Sequence, residues 1–279
     1  MYAERDITVI IPALNEAPSI ERVIDELAGL VVCSQCNQLI TSIESAPSSG
    51  VCPNADCSAE MRGVSKLVDR IIVCDNGSSD NTALLAAGSG AIVTYEPERG
   101  YGAACLAALA VEVEKDIIVF VDGDHSVVAS ELPDVIAPII NGADLVIGSR
   151  TLGHTEKGAL SIPQRFGNAL ASFLISKLWA AKVTDLGPFR ATTQKTLQDL
   201  QMTDRRFGWT VEMQVRALQL NKVVAEIPVS TLRRIGKSKV SGTVRGVIGA
   251  GHGILGTIFK LYLFGSSRHG STKLRPGEI

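Results

Sequence analysis

Two aspartates separated by a single glycine, Asp122 and Asp124 in "VFVDGDHS", follow directly on an apolar run. Carboxylates that close repel one another unless positive charge lies nearby. Asp-Gly pairs are also ordinary turn chemistry, so the spacing alone would mean little. The setting gives it weight, because the strand-like "DIIVFVD" delivers both carboxylates to one strand end. A hard divalent cation, Mg²⁺ or Mn²⁺, would relieve the repulsion, since these ions favour oxygen ligands completed by substrate phosphates. A nucleotide diphosphate that must depart as a stabilised leaving group suits such a site.

The cysteines suggest a second kind of chemistry. Cys33, Cys36, Cys52 and Cys57 fall in "CSQC" and "CPNADC", whereas Cys74 and Cys105 sit alone in apolar segments and read as buried thiols. In an intracellular chain, two such pairs predict tetrahedral zinc before disulfides, with a redox CxxC or unrelated thiols as the alternatives. Four protein ligands would close the site and make it structural.

The elements that must carry these residues alternate. "ITVIIPAL", "LVDRIIVCD", "GAIVTYE", "DIIVFVD" and "ADLVIGS" read as strands, separated by helical patterns such as "APSIERVIDELAGL" and "ASELPDVIAPII". Near-continuous apolar strands in alternation with helices predict an α/β fold, a mostly parallel sheet with both faces covered. In such sheets ligands bind outside the carboxyl ends of the strands. The polar residues cluster at those ends: Asn15 and Glu16, Asp75, Arg99 and Gly100, Asp122 and Asp124, Ser149 and Arg150. The cysteine segment, residues 32–64, interrupts the alternation and reads as an inserted zinc-ribbon-like module, too small to fold without a staple. The main domain is then 1–31 with 65–242, followed by an amphipathic helix over 243–265 and a polar tail over 266–279.

Composition narrows the class. The chain has 279 residues, 46% of them hydrophobic, with a formal net charge of -2; mean hydropathy is +0.21 and the pI about 6.1. A slightly acidic balance argues against a nucleic-acid partner. The N-terminus lacks a signal-peptide layout and no run reaches ~20 apolar residues, so a cytoplasmic protein without a transmembrane helix is expected.

With its motifs in order, the sequence resembles the family 2 glycosyltransferases of GT-A fold, in particular the dolichyl- and polyprenyl-phosphate sugar synthases. The matching stretches are "IPALNE" (11–16), "DNGSSDNT" (75–82), "ERGYGAA" (98–104), "VDGD" (121–124), "GSR" (148–150), "RFGN" (165–168), "DLGPFRA" (185–191), "GWTVEM" (208–213) and "RRIGKSKVSGT" (233–243). One departure stands out: Asn76 occupies a place where the family usually has a second aspartate. The resemblance implies a nucleotide-sugar donor, GDP- or UDP-linked. Pro12, Leu14 and Glu16 would line its base and ribose pocket, and Asp75 would accept from the base. Gly100 and Gly102 would admit close backbone approach near the nucleotide. Asp122 and Asp124 would handle metal and diphosphate, and Asp185 would face the sugar or acceptor. Glu212 would lie near the donor sugar or help the site close. Arg233, Arg234, Lys237, Ser238 and Lys239 form a basic loop suited to phosphate oxygens. A phosphate acceptor is already an oxyanion and needs positioning more than a general base. Direct displacement with inversion at the anomeric carbon is therefore expected.

Two segments bear on a lipid acceptor. Residues 166–183 place Phe166, Leu170, Phe173, Leu174, Leu178 and Ala181 at helical spacing, and 244–265 repeat the pattern with Val244, Val247, Ile248, Ile254, Leu255, Ile258 and Leu261. Arg245, His252 and Lys260 interrupt the second, which fits an interfacial helix better than a spanning one. The spacing alone fits core helices equally well. The resemblance, whose members lay equivalent amphipathic helices on the membrane, implies a peripheral position on the cytoplasmic membrane face, with polyprenyl phosphate as acceptor and a homo-oligomer or membrane protein as further partner. The alternative is a soluble acceptor, a phosphoglycerate or a sugar hydroxyl, with both segments as core helices.

Overall fold

The computed structural model describes residues 5–33, 36, 39–40, 57, 64–113, 115–236 and 244–265. Apart from the inserted β2–β4, strand and helix alternate through β1 (Ile7–Ala13), α1 (Ile20–Ala28), β2 (Val31–Cys33), β3 (Leu39–Ile40), β4 (Val64–Lys66), β5 (Arg70–Asp75), α2 (Thr82–Gly88), β6 (Ile92–Tyr95), α3 (Tyr101–Leu109), β7 (Ile117–Phe120), α4 (Leu132–Ile140) and β8 (Leu145–Ser149). There follow α5 (Ile162–Leu178), β9 (Arg190–Thr193), α6 (Gln194–Leu200), α7 (Trp209–Gln219), β10 (Val224–Pro228) and α8 (Val244–Phe264). Seven strands form one sheet in the order β10-β8-β9-β7-β1-β5-β6. All its pairings are parallel except those of β9, which runs antiparallel to both β7 and β8.

The strand sequences explain the layering. Side chains alternate across a sheet, so Val9 and Ile11 face one layer and Ile10 the other. The first layer packs against Ile20, Val23, Ile24 and Leu27 of α1 and Val135 and Ile136 of α4. The second packs against Ala104, Cys105 and Ala108 of α3 and Trp209 and Met213 of α7. In α1 the buried positions recur at i, i+3, i+4 and i+7, the spacing of a one-faced helix.

β2, β3 and β4 form a separate antiparallel sheet, β3-β2-β4, inserted between α1 and β5. Cys33, Cys36 and Cys57 belong to this insertion; Cys52 lies outside the described residues, as do Lys237, Ser238, Lys239 and the tail 266–279.

The helix expected over 166–183 instead spans Ile162–Leu178. Its start is set by a capping box in "SIPQ": Ser161 Oγ accepts from the Gln164 amide, and Gln164 Oε1 accepts from the Ser161 amide. Ala180, with φ of 51°, lies outside helical geometry just past its end. A third core cluster, including Ala171, Ile175, Val211, Val215, Ile258 and Leu261, joins α5, α7 and α8. Among the described residues no helix is long and apolar enough to cross a membrane.

Candidate active site

The carboxyl ends of β1, β5, β7 and β8 converge. Pro12 and Ala13 lie in register with Cys74 and Asp75 of β5, which puts Leu14 and Glu16 beside the Asp75 turn. Asp75 is nearly buried and accepts from the Ser78 amide through both oxygens, at 3.2 and 3.3 Å. Asn76 clamps the next strand's loop: Nδ2 donates to the carbonyls of Glu96 (2.9 Å) and Glu98 (2.7 Å), and Oδ1 accepts from the Gly100 amide (2.8 Å). An aspartate could make only the last of these contacts, which gives the Asn76 departure a physical reason.

Gly100 and Gly102 do allow a close backbone approach, but the backbone is the protein's own. A Cβ at either position would stand 2.0 Å from a carbonyl oxygen, that of Arg205 or Asp204. The start of α3 is held to this loop by Gly102 and Ala103 amides donating to Arg206 and Arg205. Glu212, buried on α7, secures the same loop from beneath. It accepts from the Thr203 amide and hydroxyl (2.9 and 2.7 Å) and the Asp204 amide (2.7 Å), and pairs with Arg216 at 2.6 Å.

Asp122 and Asp124 sit at the end of β7. Desolvation of its carboxyl, and then the neighbouring Asp124 charge, push Asp122 up to about 7, against the pull of Arg234 and Arg150. Asp124 is buried and takes the Ser126 amide at 3.0 Å on one oxygen and Arg234 Nη2 at 3.0 Å on the other. The same Arg234 nitrogen reaches Glu16 at 3.4 Å, and the Ile235 amide donates to the Asp124 carbonyl. Four acidic or basic groups thus share one corner. An acid pair that burial leaves short of compensation fits a divalent cation, and oxygen-only donors fit Mg²⁺ or Mn²⁺.

Asp185 is wholly buried and committed to Arg150. It accepts from the Arg150 amide (2.6 Å), Nε (2.9 Å) and Nη2 (2.7 Å). Burial works against the Arg150 charge, but the Asp185 carboxylate outweighs it and holds the guanidinium above its ordinary range. Asp185 therefore aims a cation, and Arg150 lines the cavity.

That cavity has a volume of about 220 Å³ and is lined by Asp122, Asp124, Arg150, Ser161, Gln164 and Arg234, with Phe189 and Val229 among its apolar walls. It is smaller than whole-ligand pockets of ~300–1,000 Å³, as suits part of a ligand and not the whole of one. Arg233 is exposed and its amide donates to Glu156. Two groups were not anticipated. Tyr101 lies close to Asp122, and burial, reinforced by the Asp122 charge, raises its phenol well above the usual range. Arg190, 1% exposed, donates to the Gly187 and Thr210 carbonyls. Both lie inside matched motifs, "ERGYGAA" and "DLGPFRA", but neither type signals its contact from sequence.

The sequence profile described as glycosyl transferase family 2 matches residues 51–200. An uncharacterised glycosyltransferase of Mycobacterium tuberculosis is 38% identical over 182 residues, covering 64% of this chain and 81% of that protein. The chain belongs to glycosyltransferase family 2. The transferase is also 31% identical over 182 residues to a dolichyl-phosphate hexose transferase of Haloferax volcanii, covering 62% and 77%. An undecaprenyl-phosphate mannosyltransferase of Micrococcus luteus is 26% identical over 189 residues, covering 63% and 77%. Among solved structures, glucosyl-3-phosphoglycerate synthase from Mycobacterium tuberculosis, in complex with Mn²⁺, uridine diphosphate and phosphoglyceric acid, aligns with a TM-score of 0.64 at 22% identity, covering 93% of the transferase and 79% of that chain. At that identity the likeness speaks for the GT-A fold alone.

Proposed function

We propose that the transferase moves a sugar from a nucleotide diphosphate to a polyprenyl phosphate at a membrane surface, with inversion at the anomeric carbon. The observation that carries this reading is the position of the cavity relative to α5. Ser161 and Gln164 line the cavity, while Ile162 and Phe166, interleaved with them on the same turns, are 82% and 69% exposed. A cavity that presents Arg150 and Arg234, beside a helix that leaves apolar side chains unburied, suits a phosphate with a hydrocarbon tail. The relatives named for dolichyl-phosphate and undecaprenyl-phosphate transfer support it.

In this reading Pro12, Leu14, Glu16 and Asp75 receive the nucleoside, and Asp122 and Asp124 hold Mg²⁺ or Mn²⁺. When bound, the cation would neutralise charge on the departing diphosphate. Arg150, fixed by Asp185, and Arg234, with Arg233, Lys237, Ser238 and Lys239 of the same basic segment, neutralise and orient the acceptor phosphate. No dedicated base is required, because the attacking oxygen carries no proton at neutral pH. Glu212 acts through the 203–206 loop and not on the sugar. GDP- and UDP-sugars, radiolabelled and paired with Mg²⁺ or Mn²⁺, test the reading with polyprenyl phosphate as acceptor. Label entering the organic phase as a β-linked product, and lost with Asp124→Ala, is the expected result. Transfer to phosphoglycerate or a sugar hydroxyl, with none to lipid, would replace it with the soluble-acceptor reading.

The insertion is read as a structural zinc site. Sγ atoms of Cys33, Cys36 and Cys57 lie within 4.8 Å of one another, and those of Cys33 and Cys57 are 3.8 Å apart. Two thiolates on a tetrahedral zinc, each at about 2.3 Å, stand about 3.8 Å apart. Cys52 is the fourth ligand by sequence. Purified protein is expected to contain one zinc per chain, and Cys33→Ser to lose it; a metal-free native protein would end this assignment.

A further inference from the structure

The loop bearing Asp122 and Asp124 is anchored from the side opposite the cavity, by α1. Ser19 Oγ donates to the Gly123 carbonyl at 2.8 Å. His125, 7% exposed, turns its ring to Glu26, with Nε2 at 3.0 and 3.1 Å from the two carboxylate oxygens. Arg22, one turn earlier on α1, donates to Glu26 at 2.8 Å and fixes that carboxylate in turn. The described lining of the cavity includes neither Glu26 nor His125.

The backbone shows why the contact matters. His125 has φ of 62°, the left-handed region that a non-glycine residue adopts only when its surroundings hold it there. That turn points successive side chains to opposite sides: Asp124 toward Arg234 and the cavity, His125 toward α1. Gly123 is restrained on the same side, because its carbonyl is held by Ser19 and the residue packs closely against Ile11 and Ile20, where a Cβ would meet side chains at 3.3 Å. The direction of the Asp124 carboxylate is therefore tied to whatever keeps His125 in its left-handed conformation, and Glu26 is what grips the ring.

We propose that Glu26 and His125 are positioning residues, a clamp that holds the turn at His125 and so aims Asp124 at the cation and donor diphosphate. This rests on the reading of Asp122 and Asp124 as the cation's carboxylates. The clamp touches no substrate; it acts through one peptide unit.

The test is Mn²⁺ binding to the full-length protein with GDP or UDP present, read from the free-Mn²⁺ electron paramagnetic resonance signal well below the melting temperature. Glu26→Leu is expected to weaken Mn²⁺ binding about tenfold, the range seen when groups supporting a metal ligand are removed. Glu26→Gln, which retains an acceptor oxygen for the ring N–H, restores most of it. His125→Gly tolerates the backbone conformation but has no ring, and is expected to lose as much as Glu26→Leu. The double variant should be no worse than either single one, because both remove the same contact. Asp124→Ala separates the two readings. Loss with Asp124→Ala but parental affinity in Glu26→Leu and His125→Gly would overturn the clamp and leave the metal carboxylates standing. Additive losses in the double variant would also overturn it. Parental affinity in all five variants would overturn both readings.

Discussion

Asp122 shows how a residue's surroundings convert to a measurable pH dependence. Its carboxyl is raised to about 7 in the folded protein, from an ordinary value of 3.8. Between those values the metal-free folded chain binds more protons at this position than the unfolded chain, so stability falls as pH rises. The contribution is fully present below pH ~4 and gone above ~7. Asp122→Asn is therefore expected to match the parent near pH 4 and exceed its melting temperature at pH 7.5 by on the order of a few °C; equal differences at both pH values would refute this. Asn76 offers a second expectation. Asn76→Asp keeps the shape but removes both donors to Glu96 and Glu98, at a cost of roughly 1–3 kcal/mol in denaturant unfolding. At this scale the sequence was informative about which carboxylates cluster and uninformative about what each one does. Asp185 and Glu212 stand in recognisable motifs, but their partners, Arg150 and the Thr203–Asp204 amides, are 35 and about nine residues away. Nothing in local spacing reports such pairings.

Elements were legible where hydrophobic period decided them and illegible where neighbours did. The parallel strands read as apolar runs because both faces are covered. β9, "RATT", is short and polar in appearance, and its insertion between β7 and β8 depends on sheet order, which no single segment encodes. Likewise the glycines opening α3 were visible, but not that the 204–206 loop is what crowds them. Gly102→Ala tests this. The Asp204 carbonyl is backbone anchored by Glu212 and cannot simply rotate away, so the substitution should cost about 1–3 kcal/mol and shift the whole loop. Gly158→Ala would not serve as the control, since its φ of 87° strains any side chain. Gly167→Ala, on exposed helix with open space at the Cβ, is the fitting one and should be neutral or slightly stabilising. A Gly102→Ala protein as stable as Gly167→Ala would mean the loop yields freely.

For the molecule as a whole, α5 and α8 decide how it meets its surroundings. Both helices contribute to the third core, through Ala171 and Ile175 and through Ile258 and Leu261, as ordinary core helices would. Their other faces are not covered. Phe166 and Phe173 on α5, and Phe259, Tyr262, Leu263 and Phe264 on α8, are between 48% and 69% exposed. Burying one such side chain is worth roughly 1.5–3 kcal/mol, so even partial insertion of several rings would hold the protein on a bilayer. Lys177, set over the Phe173 ring, and exposed Lys260 add charge that anionic headgroups would attract. The protein should therefore float with vesicles containing anionic lipid, and high salt should weaken this only in part, because the aromatic contribution is not screened. Replacing Phe166, Phe173, Phe259 and Phe264 by serine touches no described cavity-lining group. It should abolish flotation and raise KM for polyprenyl phosphate presented in vesicles, while leaving KM for the nucleotide sugar unchanged. If the quadruple variant transferred sugar to vesicle-borne lipid as well as its parent, the exposed ridge would have to serve another surface, and the link between cavity mouth and membrane would fail.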